Sequence, residues 1–176
     1  MSEFLIYLKV PVYVAEWAIH SLGIDNDALE EKIRRDIIEF PKDSVENRLI
    51  KKFLEKTPAG VSPEMKGDSN LGVRIPSYKL KDPRVYNYLN EASKKLLTDS
   101  LETLLLQNLW SELGSLENLN CSIKQTIVSW CKMHGISDQY EDTIAQKFYR
   151  LRKRYAKKGI FLDKNRNDFE ADSETK

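Results

Sequence analysis

A long leucine-rich segment in the second half of the chain constrains the fold more than any other sequence feature. Between Glu91 and Gly114, apolar side chains recur with the spacing of an α-helix, over about six turns. The stripe consists of Leu96, Leu97, Leu101, Leu104, Leu105, Leu109, Trp110 and Leu113. A helix of this length depends on partners packed along its apolar side, so we expect a mainly helical protein around it.

The composition suits a folded domain or two small ones. The 176 residues include 41% hydrophobic and 31% charged side chains, which excludes a disordered or low-complexity chain. No apolar segment reaches the about 18 to 20 residues of a membrane span, and the start does not look like a signal peptide. We therefore expect a cytoplasmic protein that does not enter membranes. Cys121 and Cys131 are expected to be small buried thiols, as a reducing compartment favours.

Two short strands are predicted from alternating apolar residues. The first spans Ile6 to Val10 and stops at Pro11, and a helix from Val12 to Leu22 with a cap at Gly23 follows it. The second, Leu71 to Ile75, follows the Pro- and Gly-rich segment 57–70 and repeats the pattern of the first. The two strands can pair within one chain or across a dimer axis, and the sequence leaves both arrangements open.

Three shorter helices are predicted from spacing and capping residues. The first follows a cap near Asp25 and carries Leu29, Ile33, Ile37 and Phe40. The second starts with a capping box of Asp43 and Glu46 and carries Val45, Leu49, Phe53 and Leu54. The third starts at Asp82 and Pro83 and carries Val85, Tyr86 and Leu89, before Asn90 caps the long leucine-rich helix.

The segment from Lys147 to Lys158 is strongly basic. It contains seven Lys or Arg and no Asp or Glu. Residues 122–160 contain nine basic and three acidic residues, although the whole chain has a net charge of only +1. The small total therefore hides a positively charged C-terminal part.

The last predicted helix, 140–158, separates into an inner and an outer side. Helical geometry places Tyr140, Ile144, Phe148, Leu151 and Tyr155 together as a buried stripe. The outer side carries the candidate DNA-binding residues Thr143, Gln146, Lys147, Arg150, Lys153, Arg154 and Lys157. Arg forks onto guanine, Gln pairs with adenine and Lys neutralises phosphates, so duplex DNA is the predicted partner.

With the two helices before it, the basic helix resembles the third helix of a helix-turn-helix domain of the homeodomain or Myb-like kind. The resemblance covers residues 91–160 and rests on Cys131 before Gly135, Ile136-Ser137 after it, and Thr143-Ile144 opening the basic helix. It implies a three-helix bundle whose third helix enters the major groove, with a turn longer than the compact bacterial form. The whole chain also resembles a group of small bacterial proteins, a likeness that implies no particular activity.

These observations predict a mainly α fold with one or two short β-strands (α+β) and a C-terminal three-helix helix-turn-helix bundle. The expected parts are 1–56, strand and helices for oligomerisation or packing; 57–80, a loop with the second strand; 81–162, the helix-turn-helix-like region; and 163–176, a disordered polar tail. The expected function is that of a transcriptional regulator or accessory factor, acting as a homodimer formed through the N-terminal strand.

Other functions stay open. A protein-interaction module would dock an acidic partner on the basic helix, with Trp17, Trp110 or Trp130 forming a groove. An RNA-binding protein would use Tyr149 to stack on an exposed base. A ribbon-helix-helix unit would place Tyr7 and Lys9, or Arg74, in the major groove. Finally, a basic helix end can simply complement the helix dipole.

The sequence lacks the motifs of common catalytic and metal sites. It contains no phosphate-binding loop, dinucleotide-binding glycine motif, His-Glu-x-x-His or paired Cys-x-x-Cys. Cys131 and His134 lie three residues apart, but a zinc site needs about four ligands and a nucleophile needs an orienting partner. We therefore predict no enzyme activity, no metal and no cofactor.

Overall fold

The computed structural model describes residues 4–24, 36–61, 66–76, 78, 81–115 and 122–159. The chain divides into two compact units, Met1–Leu105 and Leu106–Lys176. Helix dominates and the strands are short, which confirms the predicted α+β class. The elements in chain order are β1 (Leu5–Leu8), α1 (Val12–Leu22), β2 (Ile37–Ile38), α2 (Val45–Phe53), β3 (Glu55–Lys56), β4 (Leu71–Arg74), β5 (Tyr86–Tyr88), α3 (Glu91–Ser115), α4 (Ile123–Met133) and α5 (Glu141–Ala156).

The two predicted strands pair with each other inside one chain. β1 and β4 run antiparallel, with Leu8 opposite Leu71, and Ile6 and Leu8 are buried as the alternation predicts. The Asn70 carboxamide prolongs the pairing beyond the strand ends. It accepts a hydrogen bond from Val10 N at 3.0 Å and donates one to Val10 O at 2.9 Å. Pairing within the chain is therefore the arrangement that this protein adopts.

The prediction of a helix through Ile37 and Phe40 is wrong. Ile37 and Ile38 form β2, which runs parallel to β4 with Ile37 opposite Gly72. Both isoleucines and Phe40 are buried. Consecutive β-branched residues suit a strand that is covered on both faces. In such a strand apolar and polar residues no longer alternate, so the spacing of apolar residues does not distinguish it from a helix. The earlier part of the predicted helix, 25–35, lies outside the described residues.

Helix α2 forms, but its cap differs from the predicted one. Ser44 and not Asp43 is the N-cap, and its hydroxyl accepts a hydrogen bond from Asn47 N–H at 3.1 Å. The predicted capping box of Asp43 and Glu46 is therefore wrong. The serine hydroxyl lies close enough to the first turn to accept this bond, which satisfies one of the free N–H groups there.

The buried side of α2 is also rotated from the predicted stripe. Glu46 is buried and accepts a hydrogen bond from the Ser100 hydroxyl at 2.8 Å. The buried Asn47 amide donates to the backbone oxygens of residues 41 and 42, at 3.2 Å each. Partners of this kind make buried polar groups tolerable, and a hydrophobic pattern does not reveal them. Of the predicted stripe, Leu54 is buried, Leu49 and Phe53 are half-buried, and Val45 is 62% exposed.

Residues 82–89 do not form the predicted short helix. Asp82 does cap the first turn, because its carboxylate accepts a hydrogen bond from Arg84 N–H at 2.9 Å. The chain then extends into β5, which pairs antiparallel with β3 and places Tyr86 opposite Lys56. Tyrosine favours extended backbone, and β3 supplies the hydrogen-bonded strand partner. The helix prediction considered only local residues and did not include this partner.

Helix α3 forms as the leucine stripe predicts. The Asn90 side chain caps it by accepting a hydrogen bond from Ser93 N–H at 2.9 Å, and the helix runs for 25 residues. Leu96, which the prediction placed in the stripe, is 49% exposed. The buried leucines of α3 follow a strict spacing of four residues: Leu97, Leu101, Leu105, Leu109 and Leu113.

Candidate nucleic-acid interface

The turn between α4 and α5 positions the basic helix. Gly135 follows the end of α4, with a φ of 68° that glycine adopts readily. Ile136 N–H then donates back to the Cys131 carbonyl at 2.9 Å, and a 3-10 turn, Asp138–Tyr140, leads directly into α5. Gly159, with a φ of 73°, follows the last helical turn at the predicted stop. The chain direction into and out of α5 is thus set by local backbone features.

One side of α5 belongs to the core of the C-terminal unit. Ile144, Phe148 and Leu151 are buried, as the helical spacing predicts. The Trp110 ring from the end of α3 lies 5.9 Å from the Phe148 ring and 4.6 Å from the Tyr155 ring, between centroids. These contacts fix the rotation of α5 about its own axis and therefore decide which residues face away.

The seven predicted DNA-binding residues all lie on or directly after α5. The exposed ones are Gln146, Arg150, Lys153, Arg154 and Lys157, whereas Thr143 and Lys147 are half-buried. At about 1.5 Å rise per residue, the row from Lys147 to Lys157 is about 15 Å long. Local helix geometry, confirmed by the buried stripe opposite, brings all seven together. We refer to this set as the basic face of α5.

The charges along α5 are unevenly distributed. Glu141 and Asp142 occupy the first turn, where negative charge complements the helix dipole. Lys153 and Arg154 occupy the last turn, where positive charge does the same. Arg150 lies in the middle of the helix and is exposed, so the dipole gives no reason for a cation at that position. The basic face therefore extends further than dipole compensation requires.

Glu112 connects α3 and α4 and was missed by the sequence analysis. Its Oε2 accepts hydrogen bonds from Trp130 Nε1 at 3.0 Å and lies 2.8 Å from His134 Nε2. Its Oε1 accepts a hydrogen bond from Asn108 Nδ2 at 2.7 Å. His134 is the C-cap of α4, at the start of the turn that leads to α5. Glu112 is thus a positioning residue for this turn. The one signal of this role in the sequence is the four-residue spacing of Asn108 and Glu112, which places them side by side on a helix.

The environment of Glu112 predicts an acid-sensitive unit. Burial acts to raise the pKa of the Glu112 carboxyl, but hydrogen bonds from His134, Asn108 and Trp130 and the charge of His134 together lower this pKa. Since the folded-state pKa lies below the unfolded value of about 4.3, the stabilisation is present above that value. It is lost as the pH falls through the lowered pKa.

We expect Glu112→Gln to flatten the pH dependence of unfolding as the pH falls below the unfolded value of about 4.3, because the variant lacks this titration. The variant should also be less stable than the wild type at neutral pH. Urea unfolding followed by tryptophan fluorescence measures both effects. Glu91→Gln is the matched control, since Glu91 lies on the same helix with its side chain 88% exposed. Equal pH dependence of the wild type and Glu112→Gln would contradict the assignment.

Cys131 and His134 do not form a reactive pair in this arrangement. Cys131 is a fully buried free thiol, which confirms the expectation for this residue. Burial, followed by the charges of Glu141 and Asp138, raises the pKa of the Cys131 thiol to about 11, so it stays protonated at neutral pH. His134 points to Glu112 instead. Cys121 lies outside the described residues.

The tryptophans do not line the groove that the protein-interaction alternative predicts. Trp17 and Trp130 are buried, and the half-buried Trp110 packs against the aromatic residues of α5. Tyr149, the predicted RNA-stacking residue, is 45% exposed beside the basic face. Among the described C-terminal residues, the candidate binding surface is therefore the basic face and not a tryptophan groove.

The N-terminal strands take part in the core of their own unit. Tyr7 is half-buried, Lys9 is exposed, and Arg74 Nη1 pairs with Glu39 Oε2 at 2.9 Å. Because β1 already pairs with β4 of the same chain, the strand ribbon does not require a second subunit. This differs from a ribbon-helix-helix unit, in which paired strands come from two subunits.

Among the described residues, the structure shows neither a metal site nor a membrane-spanning helix. No three His, Cys, Asp or Glu side chains there come close enough together to hold a metal ion. None of the helices in the described ranges has the length and apolar character needed to cross a membrane. The predicted disordered tail, 163–176, lies outside these ranges. The chain matches no protein-family model, no curated protein and no solved structure.

Proposed function

We propose that this protein binds duplex DNA through the basic face of α5. The observation that carries the proposal is a helix with one side buried and the other side exposing Gln146, Arg150, Lys153, Arg154 and Lys157. A helix held by its buried side presents these groups in a fixed arrangement. Side chains on a rigid element lose less conformational freedom on binding than those on a mobile segment.

The dimensions of the basic face suit the major groove. A helix with its side chains is about 10 to 12 Å across, and the groove of B-DNA is about 12 Å wide. The row of about 15 Å covers about four base-pair steps, at about 3.4 Å per step. A single helix of this kind therefore reads a short half-site.

The chemistry of the face divides into base contacts and phosphate contacts. Arg150 and Arg154 can fork onto guanine, and Gln146 can pair with adenine through two hydrogen bonds. Lys147, Lys153 and Lys157 supply phosphate contacts, which position the helix without reading sequence. Thr143, half-buried in the first turn, would contact a thymine methyl or a phosphate at the edge of the interface.

The acidic first turn of α5 constrains how the helix enters the groove. The carboxylates of Glu141 and Asp142 repel phosphates, so the middle and last turns of α5 make most of the contacts, with Thr143 at the edge. The end of α3, together with α4 and α5, would then act as a helix-turn-helix domain with a lengthened turn, as the 3-10 segment Asp138–Tyr140 suggests. Such a domain serves a transcriptional regulator or an accessory DNA-binding factor, and β1, at the edge of the described sheet, would supply the homodimer contact.

The proposal is tested by fluorescence anisotropy of labelled duplex DNA at increasing salt concentration. On duplex DNA of arbitrary sequence Arg150 and Arg154 also contact phosphates, so five cations neutralise four to five phosphates and give a slope of about −4 in a plot of log affinity against log salt. Unlabelled single-stranded RNA serves as the competitor. A flat salt response, or the absence of duplex binding at low salt, would overturn the proposal. Retention of an acidic protein without DNA binding would favour the interaction module, and preferential competition by RNA would favour an RNA-binding protein.

A further inference from the structure

A second basic surface lies in the N-terminal unit, formed by the end of α2, β3 and β5. Here cationic and aromatic side chains alternate in space rather than along one helix. We refer to it as the lysine–tyrosine surface, and its members are Lys51, Lys52, Lys56, Tyr78, Lys81 and Tyr86. Lys51, Lys52 and Lys56 are exposed, and the other three are half-buried. The basic face of α5 contributes no residue to this surface.

Ammonium groups lie close to both tyrosine rings. The Nζ atoms of Lys56 and Lys81 lie 5.6 Å and 5.8 Å from the centroid of the Tyr86 ring. Lys51 Nζ lies 5.5 Å from the centroid of the Tyr78 ring. Each ring is therefore bordered by positive charge, at distances typical of cation–π contacts.

Lys81 connects the segment before β5 to the end of α2. Its ammonium donates hydrogen bonds to Leu54 O at 2.6 Å and to Lys51 O at 2.8 Å, at the carboxyl end of α2. A cation at this position satisfies free carbonyls and complements the helix dipole. Lys81 thus attaches the segment before β5 to the end of α2 and is committed to this role. Lys51, Lys52 and Lys56 carry the exposed ammonium groups that can meet a ligand.

The surroundings of the surface are positively charged. Residues 48–56 and 81–88 contain six Lys or Arg and two acidic residues, Glu55 and Asp82. The Asp82 carboxylate accepts a hydrogen bond from Arg84 N–H within its own turn. This charge complements an anionic ligand. The adjacent tyrosine rings indicate that the ligand also carries a planar group that can stack on them.

We infer that the lysine–tyrosine surface binds single-stranded nucleic acid, with a base stacked on Tyr86 and phosphates on Lys51, Lys52 and Lys56. Single-strand binding surfaces combine cations that follow the backbone with aromatic rings that stack on bases. An acidic protein would use the lysines but not the ring faces. When a base covers the ring, the Lys56 ammonium exchanges an exposed cation–π contact for a phosphate contact. This site is independent of duplex binding by α5.

The test measures anisotropy of labelled oligo(dT) and of an abasic strand of equal length with the full chain. Oligo(rU) distinguishes RNA from DNA as the source of the strand. We expect Tyr86→Ala to bind oligo(dT) about tenfold more weakly and the abasic strand unchanged, because only the first probe can stack. Tyr86→Phe, which keeps the ring, should bind like the wild type. Lys51→Ala plus Lys56→Ala should weaken binding of both strands and reduce the salt slope by about 1.4.

Arg150→Ala plus Arg154→Ala separates the two surfaces, since it should weaken duplex binding while leaving the effect of Tyr86→Ala on oligo(dT) intact. Equal binding of oligo(dT) by the wild type and Tyr86→Ala would overturn the inference. Equal affinity of the wild type for oligo(dT) and for the abasic strand would also overturn it. The surface would then be a general polyanion site or a docking site for an acidic protein. A loss in Tyr86→Phe as large as in Tyr86→Ala would assign the effect to the hydroxyl or the fold, and would overturn stacking.

Discussion

Replacing Arg150 and Arg154 together by alanine is expected to weaken binding to duplex DNA by about 10- to 100-fold near 0.1 M salt. Both side chains are exposed on α5, in its middle and last turns. Loss of two phosphate or base contacts also changes the salt response, because fewer counterions are released on binding. The slope of log affinity against log salt should change from about −4 to about −2. Anisotropy titrations at several salt concentrations measure both quantities.

The matched control removes two charges elsewhere. Lys42 and Lys95 are exposed cations of the N-terminal unit, outside the lysine–tyrosine surface. Lys42→Ala plus Lys95→Ala causes the same change in net charge and should alter the affinity for duplex DNA only slightly. If both double variants weaken binding equally, the contribution is one of overall charge, and the basic face of α5 is not the interface.

Phe148→Ala is expected to lower the free energy of unfolding by about 3 to 5 kcal/mol. The Phe148 side chain is 2% exposed and lies against the Trp110 ring. Its removal deletes the transfer free energy of a large apolar group and leaves a cavity that the surrounding side chains fill only in part. Urea unfolding followed by tryptophan fluorescence reports this change directly, since Trp110 is one of the fluorophores.

Tyr149→Ala provides the comparison on the neighbouring residue. The two rings have centroids 6.0 Å apart, but Tyr149 is 45% exposed. Its replacement should cost less than about 1 kcal/mol. The difference between adjacent aromatic residues tests the rotation of α5 on which the basic face depends. Similar losses for the two variants would mean that α5 is rotated and that its basic residues point elsewhere.

Local signals predicted three of the helices well. Val12 to Leu22, the leucine-rich α3 and the basic α5 combine a periodic apolar side with a cap or a glycine stop. Such signals act within a few residues, so they can be recognised without knowledge of the fold. The rotation of α5 followed from the same information, because its buried and exposed sides differ in every turn.

The errors arose where a partner distant in sequence decided the conformation. Ile37 adopts an extended backbone because its strand pairs with β4. Tyr86 adopts an extended backbone because its strand pairs with β3. Glu46 is buried because Ser100, on another helix, satisfies its carboxylate. Short segments have weak intrinsic preferences, and a ladder partner or a buried hydrogen bond easily outweighs them.

The candidate sites divide in the same way. The residues of the basic face lie within about four turns, on or directly after one helix, so the sequence by itself determined that they share a side. Glu112 acquires its role from Trp130 and His134 on the following helix, and Tyr86 acquires its cations from Lys56 and Lys81 on either side of a long connection. Helix geometry is a property of neighbours in the chain, whereas these contacts exist only when separate segments pack. Tertiary structure alone therefore decided the positioning of the α4–α5 turn and the lysine–tyrosine surface.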